Sequence, residues 1–189
     1  MPWWSYILIG IAIIMLFPYI RFLVKRINLC FKLKSFCKKE NLILHKASAF
    51  WWLGIKKSGG CNFYIETSNS IYSVKLFPML KSKSCLHFLE DKKYYVEKFL
   101  IFFGSYGSSA RFSFKLRVRN IGEFDFRYNF NKEWHIKKFV PVLLLNPTCA
   151  SVKLKTGNSE QVIGDGDIAY EFYTFGMKGL MRKISNENK

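Results

Sequence analysis

The first 26 residues constrain this chain most, because they join a long uncharged apolar run to a cluster of cations. Between Trp3 and Ile20 there is no Asp, Glu, Lys or Arg, and Arg21 follows directly. A helix needs about 20 mainly apolar residues to cross the hydrocarbon core of a bilayer. We therefore predict a transmembrane helix over residues 1–26. The lack of cations before the run argues against a cleaved signal peptide.

The cations after the apolar run predict an orientation. A basic juxtamembrane helix is predicted over residues 27–40, and seven cations precede the first acid, Glu40: Arg21, Lys25, Arg26, Lys32, Lys34, Lys38 and Lys39. Because cytoplasmic flanks collect Lys and Arg, we expect a single-pass protein with its N-terminus outside and residues 41–189 in the cytoplasm. Five cysteines without a CxxC pair fit a reducing compartment.

The whole chain is strongly basic, with 30 Lys and Arg against 13 Asp and Glu and a net charge of +17. Such a charge suits a partner covered in phosphates, either anionic lipid or nucleic acid. An AT-rich genome, whose codons favour Lys, Ile, Phe and Asn, is a competing explanation for much of it. Cations beside a membrane gain about 1 kcal/mol each near an anionic leaflet, which favours lipid. The seven cations are therefore candidate contacts for phosphates or lipid headgroups.

Residues 41–189 have the length and the patterns of one α+β domain, with a mostly antiparallel sheet and a few helices. A hairpin is predicted from the β-prone runs 62–67 and 71–77 around Ser68-Asn69-Ser70. Residues 90–103 fit either a capped helix or a strand. Further strands are predicted at 140–145, 151–155, 161–163 and 168–175, and a basic helix at 177–184.

A second hairpin is predicted over residues 111–130, because two strictly alternating strands flank Asn120-Ile121-Gly122. Its register places Phe114 and the other aromatic side chains on one buried face. On the opposite face, Arg117 lies across from Asp125 and Arg119 across from Glu123, as ion pairs. The cations left over on that face are further candidate phosphate contacts: Arg111, Lys115 and Arg127.

The order of elements over residues 28–77 carries a resemblance. A helix, an extended piece and two strands, the second with Ser73-Val74-Lys75, resemble the core of restriction-endonuclease-like domains. In that family an acid opens the first strand and Asp/Glu-x-Lys ends the second, and the acids hold magnesium. Here Asn62 and Ser73 stand at the acidic positions and Lys75 alone matches. The resemblance therefore implies a nuclease-like core without catalytic activity.

The remaining polar patterns do not indicate a catalytic, cofactor or metal site. His45, His87 and His135 share no spacing typical of metal ligands. Gly164-Asp165-Gly166-Asp167 lacks the further acids and terminal Glu of a calcium loop and predicts a tight turn.

These patterns together predict a function of binding rather than catalysis. We expect a membrane-anchored, non-enzymatic accessory or interaction module whose basic side faces anionic lipid. A membrane-tethered nucleic-acid-binding protein with an inactive nuclease-like core is the first alternative. An enzyme whose site assembles from distant residues is the second.

One prediction concerns nuclease activity. A metal-dependent nuclease needs carboxylates to hold the ion that activates water, and Asn62 and Ser73 supply none. We expect the full chain to leave labelled DNA and RNA intact with magnesium or manganese, as followed on denaturing gels. Cleavage that disappears in Lys75→Ala would contradict this prediction and make the resemblance catalytic.

Overall fold

The structure is a computed structural model that describes residues 3–47, 60–78, 84–103, 109–127, 130–146 and 149–188. Within these ranges, two α-helices frame the chain: α1 at Trp3–Lys39 and α2 at Met177–Glu187. Twelve strands lie between them in the same described ranges: β1 Ile43–Lys46, β2 Phe63–Glu66, β3 Ser70–Pro78, β4 Cys85–Leu89, β5 Lys93–Phe103, β6 Ser109–Lys115, β7 Arg119–Asn120, β8 Lys138–Asn146, β9 Ser151–Thr156, β10 Ser159–Ile163, β11 Ile168–Ala169 and β12 Phe172–Gly176. Short 3-10 helices occupy Ile121–Glu123 and Lys132–Ile136.

The strands form two mixed sheets. The first sheet has the order β1-β2-β3-β8-β12-β11, and β8 pairs in parallel with β3 on one side and β12 on the other. The second sheet has the order β10-β9-β4-β5-β6, with β7 also on β5, and β4 and β9 are parallel. All other pairs among the described strands are antiparallel.

Strand β8 lies at the centre of the molecule because its apolar run is buried on both faces. Val142 and Leu144 belong to a cluster with Leu33 of α1 and Leu180 of α2. Leu143 belongs to a second cluster, which contains side chains of β4 and β9. Successive side chains of a strand point to opposite faces. The first sheet is therefore packed between the two helices and the second sheet.

The Gly164–Asp167 segment is the tight turn that the sequence predicts, and it also caps α2. Asp165 Oδ1 accepts a hydrogen bond from the Gly176 amide at 2.6 Å, where a carboxylate suits the positive end of the helix dipole. Gly179 leaves room for this carboxylate, because a Cβ there would lie 2.0 Å from Asp165 Oδ2. The turn thus fixes where α2 begins against the first sheet.

The predicted transmembrane helix over residues 1–26 is wrong, and so is the single-pass localisation built on it. Within the part of the chain that the structure describes, no helix is both long and apolar enough to cross a bilayer. The apolar run does not stand alone, because α1 continues without a break to Lys39. Leu29, Leu33 and Cys37 in its second half are buried in the core of the domain.

The predicted fold class is also wrong, because it gives the domain a single, mostly antiparallel sheet. Instead of one mostly antiparallel sheet after a membrane helix, two mixed sheets pack together. The physical reason is that antiparallel hairpins leave a local trace in the sequence, whereas the parallel pairs β3–β8 and β4–β9 join distant segments.

The predicted hairpin over residues 111–130 is not formed among the described residues, and its residues 128–129 lie outside them. Strand β6 pairs with β5 instead, where Phe114 lies opposite Lys98 and is 40% exposed rather than buried. The turn sequence forms a 3-10 helix, with the Asn120 side chain accepting from the Gly122 amide. No ion pair joins Arg117 to Asp125 among the described residues. The alternating run does form a strand, β6, but that strand pairs with β5.

Several local predictions are confirmed. The hairpin over residues 62–77 forms as β2 and β3, with Phe63 opposite Val74. Residues 93–103 adopt the strand alternative, and the predicted strands at 140–145 and 151–155 correspond to β8 and β9. The basic helix near the C-terminus is α2.

The packing of α1 generates a stability prediction. Leu33 is fully buried and Phe31, two residues before it, is 66% exposed. We expect Leu33→Ala to lower the free energy of unfolding by about 2–5 kcal/mol, through lost burial and a cavity. Phe31→Ala is the matched control and should change it by less than about 0.5 kcal/mol. Urea unfolding followed by circular dichroism measures both, and equal effects would show that the helix faces are misplaced.

Candidate functional site

Helix α1 has one face inside the domain. Arg26, Leu29, Cys30, Leu33 and Cys37 are buried, and at 3.6 residues per turn they lie on the same side of the helix. Arg26, predicted as a headgroup contact, is therefore directed inward and is only 6% exposed. Burial lowers the pKa of its guanidinium. A partner at the surface does not reach this residue.

The opposite face of α1 carries apolar side chains that the domain does not cover. Phe17, Ile20, Val24 and Phe31 are 61%, 54%, 48% and 66% exposed. They lie three, seven and fourteen residues after Phe17, so they form a line along the outward side of the helix. We call these four residues the apolar line. Large apolar side chains grouped on one surface are typical of an interaction site.

Lysines flank the apolar line on both sides. Lys25, Lys32 and Lys39 follow each other at intervals of seven and form one row. Lys34 and Lys38 are four residues apart on the other side. All five are exposed, and none forms a salt bridge within the described ranges. The structure thus keeps five of the seven predicted cations on the outward side of α1.

The other predicted contacts are not brought together. Arg21 falls within α1 and Arg111 within β6, but their side chains lie outside the described part of the structure. Lys115 Nζ lies 5.1 Å from the centroid of the Tyr95 ring, on the second sheet. The Arg127 guanidinium lies 5.1 Å from the Phe139 ring, on the first sheet. They therefore do not form the common phosphate site that the hairpin register implied.

The residues that carry the nuclease resemblance hold chain segments in place. Asn62 Oδ1 accepts from the Leu76 amide at 2.7 Å, and the Ser73 hydroxyl donates to the Phe126 carbonyl. Lys75 Nζ donates to the Gly60 carbonyl at 3.2 Å. Among the described residues, no group of three His, Cys, Asp or Glu side chains is placed to hold a metal ion.

Four of the cysteines are poor nucleophiles in this environment. Burial raises the pKa of Cys30, Cys37 and Cys149 to about 11, and it also raises the pKa of Cys61. The thiolate is the reactive form of cysteine, so these thiols are largely unreactive at neutral pH.

Sequence reasoning missed two groups in which a histidine meets a carboxylate. His45 Nε2 lies 2.7 Å from Glu66, whose other oxygen accepts from Lys137 Nζ at 2.8 Å. Two glutamates contact the ring of the buried His87. Distant segments supply each group, so no short motif marks it. The one sequence signal for each group is a histidine inside a β-prone run, at His45 and at His87.

The chain matches no protein-family model, no curated protein and no solved structure. The resemblance to restriction-endonuclease-like domains therefore stays a prediction.

The Glu66 group generates a pH prediction. The hydrogen bond from Lys137 holds the pKa of the Glu66 carboxyl below its usual range. A lowered pKa in the folded state stabilises the fold above the unfolded-state pKa, and this contribution is lost as the pH falls through the folded-state value. We expect Glu66→Gln to cost about 1.5 kcal/mol or more at neutral pH. It should also lose less stability than the native chain on acidification.

Urea unfolding at neutral and at acidic pH measures this difference. Glu171→Gln is the matched control, because Glu171 pairs with Lys92 but its side chain is 86% exposed; its effect should stay below about 1 kcal/mol. Equal acid sensitivity of the native chain and Glu66→Gln would show that this carboxylate is not linked to folding.

Proposed function

We propose that this protein binds the surface of an anionic lipid bilayer through the outward face of α1, as a non-enzymatic interaction module. The observation that carries the proposal is the apolar line with lysines on both flanks. A helix that lies in the plane of a membrane interface has this pattern, with apolar side chains toward the acyl region and cations toward the headgroups. The helix lies on the bilayer rather than across it.

Both parts of this face contribute free energy. A large apolar side chain that leaves water gains about 1.5–3 kcal/mol when fully buried, and the apolar line offers four. Each lysine near an anionic leaflet adds about 1 kcal/mol. Neither the apolar line nor the lysines need the domain to change its conformation in order to meet a bilayer. The residues of α1 that pack on the first sheet lie on the opposite face of the helix.

The start of α1 adds aromatic side chains to the same helix. Trp3 and Tyr6 are 75% and 65% exposed. Indole and phenol rings suit the boundary between headgroups and acyl chains, because one end of each ring is apolar and the other polar. These residues would extend the contact beyond the apolar line.

Lipid fits this face better than nucleic acid does. Phosphate contacts to nucleic acid would use the lysines, but the apolar line would remain in water. A bilayer interface accommodates both sets of side chains at once. The apolar line therefore favours the lipid partner that the cations alone leave open.

Vesicle binding by the full chain tests this proposal. We expect sedimentation with vesicles that contain phosphatidylserine and much weaker binding to pure phosphatidylcholine. Replacing Lys25, Lys32 and Lys39 by Gln should weaken binding roughly a hundredfold, at about 1 kcal/mol for each cation. Phe31→Ser should weaken it roughly tenfold, through lost apolar burial.

The matched control removes the same charge elsewhere. Lys132, Lys138 and Lys155 are exposed and lie outside α1, so their replacement by Gln should weaken binding far less. An equal loss in this control would mean that net charge alone, and not α1, decides binding. Tight binding of duplex or single-stranded DNA that persists in Phe31→Ser, without vesicle binding, would contradict the lipid proposal and favour nucleic acid.

A further inference from the structure

His87 lies on the second sheet in an arrangement that the lipid proposal does not use. It belongs to β4, is 4% exposed, and stacks on Tyr95 with ring centroids 4.6 Å apart and planes at 6°. Its Nε2 lies 3.0 Å from Glu97 Oε2 and its Nδ1 lies 3.3 Å from Glu160 Oε1. One imidazole therefore joins a carboxylate from β5 to a carboxylate from β10.

Other charged and titratable groups surround this ring. Lys153 of β9 is opposite His87 in the sheet and donates to Glu160 Oε2 at 2.8 Å. Lys115 of β6 lies over the Tyr95 ring. Cys85, on the strand of His87 itself, accepts a hydrogen bond from the Ser151 hydroxyl at 3.0 Å.

A protonated ring can pair with both carboxylates, whereas a neutral ring can donate to only one of them, because a neutral imidazole has one N–H only. The Nε2 atom forms a hydrogen bond with Glu97 at 3.0 Å, and Nδ1 lies within ion-pair distance of Glu160. Lys153 holds the pKa of the Glu160 carboxyl below its usual range, so Glu160 is an acceptor. Both contacts are therefore favourable together only when the ring carries two protons.

Loss of the second ring proton leaves one of the two contacts without a donor, and the contact with Glu160 is the weaker one. It is the longer of the two, and the Glu160 side chain is 42% exposed whereas that of Glu97 is 18% exposed. Glu160 can turn to water and keep Lys153, while Glu97 is enclosed. The remaining N–H therefore stays with Glu97, and Glu160 is left facing a ring nitrogen that no longer donates.

Strand β10 depends on the contact between His87 and Glu160 because it is the edge strand of the second sheet. It pairs only with β9 among the described strands, and four of its five side chains are exposed. Ile163 alone reaches the core. We propose that His87 is a proton-dependent clamp that holds β10 against the sheet at low pH and releases it as the pH rises.

Amide hydrogen exchange of the full chain tests the clamp, with rates corrected for intrinsic pH dependence. As the pH is raised from acidic to alkaline, we expect the protection of β10 amides to fall roughly tenfold relative to β8, as the loss of a charged contact implies. Glu160→Gln should remove this pH dependence, and its exposed site should leave folding intact.

His45→Gln is the matched control, because it removes the other histidine that meets a glutamate. The pH dependence of β10 should persist in this variant. Protection of β10 that does not change with pH in the native chain would overturn the proposal. A pH dependence that survives in Glu160→Gln would overturn it equally.

Discussion

The burial of β8 on both faces is the constraint on which the rest of this structure depends. Val142 and Leu144 need a cover on one side, and Leu143 and Leu145 need one on the other. The helices supply the first cover and the second sheet supplies the other. Because α1 contributes only one of its faces to this packing, its opposite face remains at the surface with the apolar line and five lysines. The proposed lipid surface is thus a consequence of how the core is covered.

Local elements could be predicted from the sequence, but the partners of strands could not. The hairpin of β2 and β3 has a short turn and a matching register, both within one segment. Alternation also marks residues 111–119 as extended, yet it does not say which strand lies beside them. Phe114 lies opposite Lys98 of β5, with its side chain 40% exposed instead of on the predicted buried face. Parallel pairing such as β3 with β8 joins segments too distant for any local pattern to reveal.

The candidate site was predictable in part for the same reason. The five exposed lysines of α1 lie within residues 25–39 of one helix. Helical spacing therefore predicts that they lie on the outward side, once the buried face is known. Arg26 is the exception, because only packing shows that it lies inside. The clamp at His87 could not be predicted, since Glu97 and Glu160 reach it from two other strands. The transmembrane prediction failed because no helix within the described residues is both long and apolar enough to cross a bilayer.

Photocrosslinking to lipid tests most directly the claim that the outward face of α1 meets a bilayer. A photoreactive amino acid would replace Phe31 in one full-length variant and Val162, which is 63% exposed on β10, in another. After illumination with vesicles that contain phosphatidylserine, mass spectrometry detects lipid adducts. The account predicts adducts at position 31 and none at position 162. Equal labelling of both positions, or labelling at position 162 alone, would contradict it.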